Sequence, residues 1–98
     1  MSTKKKFDSV WDAIEDTKEQ AENMKLRSVL MIAIKNRVVQ LKLTQEQAAA
    51  MLGVTQPRVT DLMRGKINLF ALDVLVNMIT AAGMRIDLRV HGIDKEAA

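Results

Sequence analysis

The sequence predicts a mainly α-helical fold, five helices followed by one short C-terminal β-strand. Three observations carry that expectation. Apolar residues recur at helical spacing through most of the 98 residues. Gly53, Gly65 and Gly83 stand where those runs stop, as helix-ending glycines do. After Gly83 the period changes, and Met84, Ile86, Leu88 and Val90 alternate with Arg85, Asp87 and Arg89, the pattern of a strand with one apolar face.

Taken in order, residues 1–7 read as a flexible basic arm, with Lys4, Lys5 and Lys6 and no periodicity. Residues 8–24 form an acidic, helical N-terminal extension. In it Ser9 caps a short amphipathic helix whose apolar stripe begins at Phe7 and continues through Val10, Trp11 and Ile14. From about Thr17 to Leu41 the positions of Met24, Leu26, Leu30, Met31, Ile34, Val38 and Leu41 predict a long helix, which leads into a central domain over 25–83. Thr44 with Gln47 three residues on is a capping-box pattern opening a helix over 45–52 that stops at Gly53. Thr55 caps the next helix, with Pro57 in its first turn where a missing N–H costs least, and Gly65 ends it. Leu72, Leu75, Val76 and Ile79 place a helix over 69–82. The strand segment spans 84–91, and 92–98 is a flexible tail.

A chain of this length holds one core and buries only about 60–68% of its unfolded surface, so shared burial with a second chain is expected. Composition excludes several classes. There is no Cys, hence no disulfide framework and no thiolate chemistry. The longest strongly apolar run, 29–34, falls far short of the ~20 residues of a membrane span. The start of the chain leads into acidic sequence without a signal-peptide apolar region, which points to the cytoplasm. No nucleophile, phosphate-loop or metal-ligand pattern is present, and the lone His91 has no partner pattern. The expectation is therefore no enzyme, no metal and no cofactor. The net charge of +3 hides segregated blocks: +3 over 1–7, −5 over 8–22, +6 over 23–66 and −1 over 67–98. A central basic block suits a polyanion, whereas the acidic block suits a different, basic partner.

The most informative stretch is 45–64, QEQAAAMLGVTQPRVTDLMR. Two short helices crossing steeply about a tight turn need a small residue where they meet, here Ala49. They also need a turn residue tolerant of positive φ, here Gly53. Their inner faces need apolar groups, met by Ala48, Leu52, Val54, Val59 and Leu62. On these residues, and most specifically on LTQEQAAAMLGVTQPRVTDLMRGK, residues 25–83 resemble the XRE, or Cro-type, helix-turn-helix regulators with a lambda-repressor-like fold.

The resemblance implies that the helix from Thr55 to Arg64 enters the major groove of double-stranded DNA, in a bacterial or phage cytoplasm at the nucleoid. Spacing turns Val59, Leu62 and Met63 inward and leaves Gln56, Arg58, Thr60 and Asp61 as candidate base contacts. The Gln56 amide fork matches adenine, and the Arg58 fork matches guanine or a phosphate. Asp61 can accept from cytosine, or orient Arg58 or Arg64, which suits it better. The family uses a Gln at the position of Gln45 to grip phosphate. Thr55, Arg64, Lys66 and Asn68 complete the candidate backbone contacts. The start MSTKKK is similar to the DNA-embracing arm of lambda-type repressors.

An isolated strand with an apolar face is unstable in water. Met84, Ile86, Leu88 and Val90 are therefore expected to pair antiparallel with a second copy across a two-fold axis, giving a homodimer on an inverted-repeat operator. A hairpin with a strand around 5–10 is the competing placement. The apolar tail and acidic lead-in are similar to the small HigA-like antitoxins that accompany RelE-like or HigB-like toxins. In that resemblance Phe7, Val10, Trp11 and Ile14 cover the toxin; the alternative is that they pack on this chain's own long helix. A regulator without a toxin is the other functional reading.

Overall fold

The computed structural model describes residues 17–93. Helix α1, Lys18–Gln40, begins at Thr17, whose extended backbone and hydroxyl accept the Gln20 N–H at 3.0 Å. It buries Met31, Ile34 and Val38. Its end is a two-bond wrap: Lys42 N–H donates to the Val39 carbonyl and Leu43 N–H to that of Val38. This wrap needs a left-handed residue, and the residue there is Lys42, at φ 55°.

Helix α2, Gln45–Leu52, carries the expected capping box. The Thr44 hydroxyl accepts the Gln47 N–H and the Gln47 side chain accepts the Thr44 N–H. Gly53, at φ 72°, reverses the chain, and both its N–H and that of Val54 return to the Ala49 carbonyl. Helix α3, Gln56–Met63, follows after two residues, with Pro57 in its first turn and Val59 and Leu62 buried. A single 3₁₀ turn, Ile67–Leu69, leads to an extended Phe70 that is fully buried. Helix α4, Leu72–Ala81, buries Leu75, Met78 and Ile79.

One core joins these elements, from Met31, Ile34 and Val38 through Ala48, Ala49 and Leu52 to Val59, Leu62, Phe70, Leu75, Met78 and Ile79. Two arginines on the inner side of α1 tie it to the rest of the chain. Arg27 donates to the Ile67 and Phe70 carbonyls at 3.3 and 3.5 Å. Arg37 donates to the Ala82 carbonyl at 3.0 Å, placing a cation at the negative end of α4. Since Arg27 meets the start of α4 and Arg37 its end, the two helices run side by side in one direction.

The described residues hold four α-helices and one 3₁₀ turn; the first of the five expected helices, near 9–14 with Phe7, Val10, Trp11 and Ile14, and the arm lie outside them. Two expectations are corrected. The helix expected over 69–82 begins only at Leu72, because burial of Phe70 in extended form breaks it from the preceding turn. Residues 84–90 form no strand: among the described residues none after Met84 takes part in a backbone hydrogen bond, and no other extended segment pairs with them. The alternation survives in burial only at Met84 and Ile86, half-buried beside exposed Arg85 and Asp87, while Leu88 and Val90 are exposed. Helix α1 crosses from 24 to 25 without a break.

Because a left-handed lysine carries a steric cost that glycine lacks, Lys42→Gly is expected to stabilise the fold by about 0.5–1 kcal/mol, roughly 3–6 °C in thermal midpoint. Lys42→Val should destabilise it. A lowered midpoint for the glycine variant would contradict this account of the turn.

Candidate nucleic-acid interface

The start of α2, the outer face of α3 and the turn after it carry the candidate DNA contacts from Gln45 to Asn68, while the arm lies outside the described residues. Thr55, at the N-cap position of α3, makes no side-chain cap bond, so its hydroxyl is not spent on the helix. It differs in this from Thr44. Gln56 is exposed at the first helical position, and Arg64, Lys66 and Asn68 are exposed beyond the other end. Thr60 and Asp61 are half-buried on the same face.

Gln45 links the two helices. Its amide nitrogen donates to the Gln56 carbonyl at 2.9 Å and also to the Thr60 hydroxyl. Both amide hydrogens are thereby held within the protein, and the carbonyl that Gln45 grips belongs to the residue with the best fork for adenine. This brace fixes the first turn of α3 against α2. Its signal in the sequence is the eleven-residue interval between two glutamines, each just after a Thr.

Arg58 stands differently from the outward reader expected. Its guanidinium lies over the Phe70 ring, 4.2 Å from the centroid, and donates to the Leu69 carbonyl at 2.9 Å. Cation–π contact and hydrogen bond together fasten α3 to the turn that carries Asn68. Asp61 pairs with Lys66 at 3.6 Å and with neither Arg58 nor Arg64. That ion pair closes the loop at the end of α3, where Lys66 N–H also bonds the Asp61 carbonyl.

Sequence reasoning missed three residues here. Phe70 is the platform for Arg58, and Arg27 holds the carbonyls on either side of the same turn. Arg27 and Arg37 belong to the central basic block that suits a polyanion, yet both point into the fold. Their signal was position: both fall on the apolar side of α1. Among the described residues no cluster of His, Cys, Asp or Glu could hold a metal ion, and no helix is long and apolar enough to cross a membrane.

A family model described as a helix-turn-helix domain matches residues 13–91. The chain belongs to this helix-turn-helix family. The match takes in the acidic lead-in from residue 13 and the tail to residue 91 as well as the helices between. A solved structure described as an XRE family transcriptional regulator is similar at a TM-score of 0.72 and 26% identity, covering 80% of this chain and 88% of that one. No curated protein matches. In helix-turn-helix terms, α2 and α3 are the motif, and the 3₁₀ turn braced by Arg27 and Arg58 is its outer flank.

Losing the Phe70 stack and the Leu69 hydrogen bond together, Arg58→Ala is expected to cost about 1–2 kcal/mol in urea unfolding. Arg58→Lys should recover only part of this, because an ammonium lacks the planar face. An unchanged unfolding midpoint would show that the stack does not hold the turn.

Proposed function

We propose that this chain is a sequence-specific DNA-binding transcriptional repressor acting as a homodimer on an inverted-repeat operator. The observation that carries the reading is Gln56, exposed at the first position of α3 with its backbone carbonyl clamped by Gln45. A base-reading side chain on a braced helix end loses little freedom when it meets an adenine edge. Thr60 and Asp61 stand beside it, and Arg58 can join through the N–H groups that Leu69 leaves free. Thr55, Arg64, Lys66 and Asn68 surround this centre as phosphate contacts, with Gln45 supporting from behind. Family membership and the similarity to an XRE family regulator support the same reading.

The tail supports the dimer. Among the described residues its backbone makes no backbone hydrogen bond over 85–93, and Leu88 and Val90 are 77% and 89% exposed. An antiparallel pairing centred on Leu88 sets Asp87 opposite the copy's Arg89 and Ile86 opposite its Val90, so charges and apolar faces both match. Met84 then anchors the ladder at the core end.

The resemblance to HigA-like antitoxins supports a further role, neutralising a RelE-like or HigB-like toxin and autoregulating the shared operon. The residues proposed for that contact, Phe7, Val10, Trp11 and Ile14, lie outside the described residues. A stand-alone or prophage regulator is the alternative. Co-purification with the product of an adjacent toxin-like reading frame favours the antitoxin, and a folded chain that binds operator but no such product favours the alternative.

In binding assays over a range of salt, Gln56→Ala should relax sequence preference by about 1–3 kcal/mol at one base pair, while Lys66→Ala weakens all sequences alike and flattens the salt slope by about one. Equal effects on every sequence would contradict the division between base and backbone contacts. Leu88→Pro removes a ladder donor and should leave a monomer in sedimentation equilibrium with helix content unchanged. A native chain that stays monomeric while binding operator would overturn the dimer.

A further inference from the structure

An apolar groove shares no residue with the DNA face. Leu26 and Val29 on α1, Leu72 and Val76 on α4, and Ile86 and Leu88 on the tail line a depression of about 290 Å³. Asp87 is the only charged residue among those lining it. Four of the six apolar residues are exposed, Val29 at 57% and Val76 at 38% among them. The tail fills the groove only in part, since Ile86 is half-buried whereas Leu88 and Val90 stand exposed. Two needs are unmet at one place: an apolar surface without cover, and an extended backbone that makes no backbone hydrogen bond among the described residues.

We propose that the tail of a second copy meets both, pairing with this tail backbone to backbone and laying its Val90 over the groove. The inference rests on the dimeric reading above and adds to it the surface on which the dimer packs. A ladder of two strands alone is marginal in water, so a dimer held by its tails needs an apolar layer beneath them. Register decides which side chain arrives. With Leu88 opposite Leu88 on the two-fold axis, the copy's Val90 stands opposite Ile86. Residues directly opposite share one face of a ladder, with Cβ atoms about 4.5–5.5 Å apart. Ile86 lines the groove, and the copy's Val90 is thereby brought to it. Symmetry makes the seat double, each copy giving one Val90 and receiving the other's.

The charges agree with this occupant. Among the described residues Asp87 pairs only with Arg85, at 3.5 Å, between side chains that are both more than four-fifths exposed. An ion pair so open to water holds little. Arg89 pairs with no carboxylate among the described residues, and the same register sets the copy's Arg89 opposite Asp87. The charged residues then meet on the outer face of the ladder while Ile86, Leu88 and Val90 turn toward the helices. Val29 and Val76, one from each helix, offer the exposed apolar surface on which that face comes to rest.

Val29 and Val76 are exposed in the single chain, so Val29→Asp and Val76→Asp should each keep the helix content in circular dichroism. Each is expected to raise the dimer dissociation constant in sedimentation equilibrium by about tenfold or more, because a two-fold interface counts every substitution twice. A second measurement needs no substitution. In a dimer mixed from isotope-labelled and unlabelled chains, the Val90 methyls of one copy should show nuclear Overhauser contacts to methyls of Val29, Leu72 or Val76 of the other. A dimer whose dissociation constant is unchanged in both variants, or one without these intermolecular contacts, would overturn the seat and leave the tail ladder standing. A native chain that sediments as a monomer even at the concentration of the magnetic-resonance sample would overturn ladder and seat together.

Discussion

The close approach of α2 to α3 is the constraint on which the rest depends. Two short helices joined by so short a turn can share a core only if the side chains between them are small. Ala48 and Ala49 are both buried where α2 meets Val59 and Leu62 of α3. Larger residues would push α3 outward, since overpacking a filled core forces backbone shifts. With α3 seated, Gln45 reaches the Gln56 carbonyl and Thr60, and the first turn of the recognition helix acquires a fixed position. The left-handed Gly53 makes the seating possible, and the Thr44 capping box starts α2 in register with it.

Arginine completes what small residues begin. The turn after α3 has little core of its own beyond Phe70, and its carbonyls would otherwise be poorly satisfied near the interior. Arg27 takes those of Ile67 and Phe70, Arg58 takes that of Leu69, and Arg37 takes that of Ala82 at the end of α4. The Ile67, Phe70 and Ala82 bonds are part-buried, where carbonyls need donors, while the Leu69 bond is exposed; a planar guanidinium can serve several carbonyls at once. Three of the eight basic residues in the central block are therefore structural. The surface available to a phosphate backbone is narrower than net charge suggests, centred on Arg64 and Lys66.

Helix ends and the motif were legible because local chemistry decides them. Thr17, Thr44, Gly53, Gly65 and Gly83 stand where sequence placed them. The inward set of α3, Val59 and Leu62, follows from spacing alone. What eluded sequence was set by contacts distant along the chain. Phe70 extends because the core accepts its ring, so the last helix starts late. Arg58 has outward spacing on α3, yet an aromatic twelve residues away draws its head back. Thr55 has the sequence of a cap without the bond. The tail kept its alternating pattern without forming a strand, since a ladder requires a partner that the described residues do not provide.

The central claim is that the braced first turn of α3 reads DNA. Amide chemical-shift mapping during titration with a selected operator duplex tests it most directly. The account predicts that the largest changes fall at residues 55–61, with smaller ones at 44–46 and 64–68, while the amides of α1 at Leu26 and Val29 stay still. Changes concentrated in α1 or the tail, with the first turn of α3 unmoved, would contradict it.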